Sequence, residues 1–145
     1  MRWNRDMGAA AGASLVIIIA LTFGFLSLGA PSVQRLMQAD NKRIANLFTI
    51  AQQINGKWNF SGHTLPANLG SLPVASSLKD PVTRAPYEYH LKNANQYELC
   101  ATFARNSRPD STGIEDTFWD HPKGNFCYTL DPAQTPPPPT ALYQY

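Results

Sequence analysis

The stretch Gln96-Tyr-Glu-Leu-Cys-Ala-Thr-Phe103 alternates apolar and polar side chains, with Tyr97, Leu99, Ala101 and Phe103 on one face. A period of two is the signature of a half-buried β-strand, because successive side chains point to opposite sides. Tyr87-Glu-Tyr-His-Leu91 alternates in the same way just upstream, and Lys92-Asn-Ala-Asn95 between the two reads as a hairpin turn. These two strands are therefore expected to pair antiparallel. Asn125-Phe-Cys-Tyr-Thr-Leu130 supplies a third strand.

Three strands need a cover for their apolar face, and the sequence before them provides it. Val33, Leu36, Met37, Ile44, Leu47, Phe48, Ala51 and Ile54 recur at three- and four-residue spacing, with Gln34, Gln38, Asn41, Arg43, Gln52 and Asn55 mostly elsewhere on the wheel. This pattern predicts an amphipathic helix of about six turns. It starts near Pro31 and stops at Asn55-Gly56, where glycine is the terminator. Residues 59–85 are punctuated by Leu65-Pro66, Leu72-Pro73 and Asp80-Pro81 and read as irregular, with a short helical turn around Ala67 to Leu72. The expected fold is α+β: an N-terminal transmembrane helix, then a long amphipathic helix packed on a small three-stranded antiparallel sheet.

The two cysteines, Cys100 and Cys127, fall in the second and third strands and flank the longest polar loop. A bond between them would close a loop of roughly 28 residues and contribute on the order of 3–4 kcal/mol. Such a disulfide implies an oxidising compartment, the periplasm or the cell exterior.

The N-terminus differs from everything after it. Met7 to Leu28 contains no charged residue, and its 22 residues would span roughly 33 Å as a helix, against a hydrocarbon core of ~30 Å. Residues 1–30 are therefore read as a retained membrane anchor. A cleaved signal peptide is the alternative, but the apolar run is long for one and Pro31 directly follows Ala30. Arg2 and Arg5 before the span fit a cytoplasmic N-terminus, and the cysteines then place residues 31–130 in the periplasm. Gly8, Gly12 and Ser14 form a small-residue face suited to contact with a second transmembrane helix.

Residues 131–145 form a Pro-rich tail, in which Pro136 to Pro139 hold an extended polyproline II conformation. Pro136, Pro139, Leu142, Tyr143 and Tyr145 are its expected partner contacts.

Catalytic and cofactor signatures are missing. His63, His90 and His121 lie far apart with no metal-ligand spacing. Asp110, Glu115, Asp116 and Asp120 lack the alternating donors of a calcium loop. No nucleophile elbow, P-loop, dinucleotide fingerprint or haem-attachment motif occurs. The formal charge of +2 is small and its cations are scattered, so nucleic acid is not an expected partner. No enzyme, cofactor or metal site is expected.

Asp40-Asn-Lys-Arg43 leading into a long helix, Leu65-Pro66, Asn68-Leu69, Asp80-Pro81-Val-Thr83, Pro86-Tyr-Glu-Tyr89, Tyr97 to Phe103, and Trp119-Asp-His121 with Gly124 and Cys127 resemble the bacterial pilin-like and pseudopilin-like membrane-anchored periplasmic domains. The resemblance implies their α+β fold over about two thirds of the chain. It does not extend to filament assembly: Gly24-Phe25 lies late in the span, no Glu follows until Glu88, and Pro31 interrupts the helix. The function expected is that of a non-catalytic accessory subunit in the bacterial inner membrane. It would contact the lipid bilayer and bind other subunits of a larger membrane complex, respiratory or photosynthetic in type. A pseudopilin-like component of a secretion or pilus system is the alternative, and a periplasmic ligand-binding or enzymatic domain the third.

Overall fold

A computed structural model of the chain describes residues 14–24, 31–107 and 118–139. The chain divides into two units, Met1–Arg35 and Leu36–Tyr145. Within the first, residues 14–24 are helical (α1). Among the described residues no helix is long and apolar enough to cross a membrane. The expected span of Met7 to Leu28 extends on both sides beyond the described stretch, so Gly8 and Gly12 lie outside it. Ser14, which opens α1, is exposed.

The second unit is α+β. A long helix, α2 (Pro31–Phe60), is followed by a 3-10 turn at Leu69–Ser71, a short helix α3 (Pro73–Ser77), and strands β1 (Glu88–Asn93), β2 (Gln96–Phe103) and β3 (Gly124–Leu130). The sheet order is β1-β2-β3 with both pairs antiparallel. A two-residue turn joins β1 to β2 between Asn93 and Gln96, where the alternation placed it. Tyr97, Leu99, Ala101 and Phe103 are buried and share one core with Ile44, Leu47, Ile50, Ala51 and Ile54 of α2. The helix and the inner sheet face thus cover each other.

The helix differs from its expected course at both ends. Val33, Leu36 and Met37 are 37%, 42% and 51% exposed, although they continue the apolar stripe; burial of α2 begins only at Asp40. At the other end α2 runs through Gly56 to Phe60. Trp58, buried against the core, makes the extra turn favourable. The stop is at Gly62, whose φ of 71° is left-handed. There Ser61 N–H donates to the Lys57 carbonyl at 2.8 Å and His63 N–H to the Trp58 carbonyl at 3.1 Å. This six-to-one bond over a left-handed glycine is a Schellman-type cap.

The connection to the sheet is pinned rather than loose. The Tyr89 hydroxyl donates to the Pro66 carbonyl at 2.8 Å, and the Ala75 amide donates to the Gln53 side chain at 2.8 Å. Leu72 and Ala75 join the core. Cys100 and Cys127 stand directly opposite in the β2–β3 register and form a disulfide, with Cα atoms 4.0 Å apart.

Candidate functional site

Arg43, assigned to the polar side of the helical wheel, is buried, together with Asp40 and Asp80. Its Nε donates to Asp80 Oδ2, its Nη2 to Asp80 Oδ1 at 3.1 Å, and its Nη1 to Asp40 Oδ1 at 2.7 Å. Asp40 also accepts the amides of Ala104 and Arg105, at 2.9 and 3.1 Å, just beyond β2. Asp80 accepts the amides of Val82 and Thr83, at 2.9 and 2.8 Å. One guanidinium and two carboxylates therefore tie α2, the 80–86 turn and the exit of β2 into a single knot. A planar guanidinium fork suits this bridging better than an ammonium would.

The electrostatics follow from the packing. Burial pushes the Asp80 carboxyl up, but the Arg43 guanidinium and the Thr83 and Val82 amides outweigh it and hold its pKa well below the carboxylate range. Hydrogen bonding to Asp80 raises Arg43 in turn, against the burial that lowers it. Beside the knot, Asn46 Nδ2 donates to the Tyr87 hydroxyl at 2.9 Å and to the Lys79 carbonyl at 3.3 Å. The Asp40–Arg43 and Asp80–Thr83 segments, 37 residues apart where Arg43 meets Asp80, come into direct contact here.

A second cluster is aromatic. Trp119 meets Phe118, Tyr128 and Phe48 edge-on, with ring centroids 5.0, 5.0 and 6.2 Å away. The Tyr128 hydroxyl donates to the Trp119 carbonyl at 2.8 Å. The Trp119 indole N–H donates to the Pro137 carbonyl at 2.7 Å. The tail thus lies against its own domain: Pro132, Pro136 and Pro139 are buried while Pro137 and Pro138 are exposed. Asn55 Nδ2 donates to the Pro132 carbonyl at 2.7 Å. Pro136 and Pro139, expected to meet another protein, are taken up by this chain. Leu142, Tyr143 and Tyr145 lie outside the described residues.

His121 stacks on Phe103, with ring centroids 3.6 Å apart. Burial lowers its pKa despite the Pro122 carbonyl and the charges of Asp40 and Asp120, which favour protonation. The two described ends of the polar loop are held together. Ser107 N–H donates to the His121 carbonyl at 2.9 Å, and Lys123 N–H to Asn106 Oδ1 at 2.7 Å. Asp110, Glu115 and Asp116 fall between them, outside the described residues.

Among the described residues, Glu88, His90 and Cys100 are the group whose potential metal-donor atoms all lie within 4.8 Å of one another. The Cys100 sulfur is committed to the disulfide, and a disulfide sulfur is no substitute for the thiolate that binds metals. Glu88 and His90 remain an exposed 3.5 Å pair on edge strand β1. His63 packs edge-on against Trp58 at the helix cap. The three histidines thus have different neighbours. The chain matches no protein-family model, no curated protein and no solved structure.

Proposed function

We propose that the chain is a non-catalytic accessory subunit of the bacterial inner membrane, with a cytoplasmic N-terminus and a periplasmic domain. Its N-terminal helix would sit in the lipid bilayer, and helix, domain and distal tail would bind and stabilise a larger membrane complex of respiratory or photosynthetic type. The observation that carries this reading is the surface of α1. Leu15, Val16, Ile17, Ile18, Ile19 and Leu21 are all exposed, around the whole circumference of the helix. A helix apolar on every side belongs in a core or a membrane. Its one mid-helix polar side chain supports the same environment: the Thr22 hydroxyl contacts the Ile18 and Ile19 carbonyls at 3.0 and 2.8 Å, within its own helix. A hydroxyl satisfied in this way adds little penalty in hydrocarbon. The Cys100–Cys127 disulfide favours an oxidising compartment for the domain.

Alkaline carbonate extraction followed by mild-detergent purification tests this reading. The chain should stay with the membrane pellet and then co-purify with larger subunits. Release by carbonate, or migration alone on a native gel, would reject it. One observation favours the pseudopilin-like alternative: the Asp40–Arg43 and Asp80–Thr83 segments that carry that resemblance meet in a single buried knot. A mature N-terminus cut by a prepilin peptidase, read by mass spectrometry, would select the alternative.

A further inference from the structure

The tail has a periodicity of its own. Four consecutive prolines fix φ near −65° at each position, and every residue followed by proline is pushed towards extended backbone. Thr135 through Pro138 each precede a proline, so the segment is a polyproline II helix with three residues per turn. Positions 136 and 139 then share one face. The burial follows this rule, with Pro136 and Pro139 covered and Pro137 and Pro138 open. The carbonyl between the two anchors, that of Pro137, accepts the Trp119 indole N–H.

An indole donating to a carbonyl of a polyproline segment, beside two buried prolines three residues apart, is the chemistry by which aromatic grooves recognise proline-rich peptides. The groove is built from the domain: Phe118, Gln96, Thr129 and Leu130 line the cleft beside the tail, and Trp119 is held by Tyr128 and Phe48. The joint between domain and ligand is slight. Ala133, Gln134 and Thr135 are exposed, and the turn there rests on a bond from Gln134 N–H to the Asp131 carbonyl and one from Ala133 N–H to Asp131 Oδ1.

We infer that the surface around Trp119 is a polyproline-binding groove, occupied in the single chain by residues 136–139 and able to take the same segment from a second copy of this chain. The second copy is the occupant indicated because its tail carries the spacing and the acceptor carbonyl that the groove already binds. Exchange breaks and remakes identical contacts, so the short exposed joint is the main barrier. The inference is independent of what α1 inserts into.

Two full-length variants test it by complementation. Pro136→Ala with Pro139→Ala keeps the groove and spoils the ligand, while Trp119→Phe keeps the ligand and removes the groove's donor. Cross-linking in detergent should show the mixed pair associating and neither variant associating alone. A synthetic peptide of residues 131–145, titrated into the Pro136/Pro139 variant, should move the Trp119 indole resonance. It should bind about ten-fold tighter there than to the unmodified chain, whose resident tail competes at high effective concentration. Alanines at 136 and 139 of the peptide should abolish binding, and alanines at 137 and 138 should leave most of it. No association of the mixed pair overturns the exchange. Equal losses from the two peptide alterations overturn the groove.

Discussion

The domain closes itself at two buried joints built on opposite principles. The Asp40–Arg43–Asp80 knot joins helix to turn and strand with charge, every hydrogen bond in it involving an ionised group. The tail dock joins residues 131–139 to the domain with rings, prolines and neutral amides, through Trp119 to Pro137 and Asn55 to Pro132. A buried charge requires its partner, because isolated it retains the full desolvation penalty. A neutral contact whose polar groups return to water on opening loses only its modest net contribution. The first joint is therefore all-or-none, and the second is graded and able to open while the core stays folded.

That contrast can be broken most directly at Arg43. Arg43→Met strands two buried carboxylates and should destabilise the domain by about 3–5 kcal/mol, read as the loss of thermal or denaturant stability. A cost under about 1 kcal/mol would mean that the knot is solvated and the two joints are alike.

Acid should separate the joints next. The folded Asp80 pKa is depressed below its unfolded value, so its contribution is complete above the unfolded pKa and is lost as pH falls through the folded one. Domain stability should therefore drop below about pH 4, while at pH values where the domain is still folded the Trp119 indole resonance reports an intact dock. Early loss of the dock with the knot intact would reverse the assignment.

Trp119→Phe preserves a ring and removes one neutral hydrogen bond, for about 1 kcal/mol, and its cost should not change with pH between 5 and 8. The smallest effects compare the glycine inside α2 with the glycine that caps it. Gly62→Ala should destabilise by about 1 kcal/mol because of the left-handed backbone, whereas Gly56→Ala, in open helix interior, should stabilise by roughly 0.5–1 kcal/mol. Equal signs in chemical denaturation would place the helix stop elsewhere.

The sheet was legible because its information is local. Alternation in Gln96–Phe103, a turn at 94–95 and two cysteines on neighbouring strands need no knowledge of distant residues, and the register agrees with them. The sequence placed the helix stop at Gly56, and the structure has it at Gly62. Trp58 lies between them, and its burial in the core decided for the second. The knot was out of reach of a helical wheel, which sends Arg43 outward; the carboxylate that draws it in lies 37 residues away. The tail's polyproline II segment and its Pro136 and Pro139 contacts were legible, but its docking on the same chain was not, because the indole partner lies 18 residues upstream across a loop.

The disulfide has a consequence for how the sheet comes to be correct. Cys100 and Cys127 are directly opposed only in the observed β2–β3 alignment. Sliding one strand by a single residue turns the two thiols to opposite faces, and sliding by two leaves them on one face but about 7 Å further along. Oxidation can therefore seal the native alignment and leaves a shifted one unsealed, free to unpair and try again. The bond thereby fixes the register of the last strand against its neighbour.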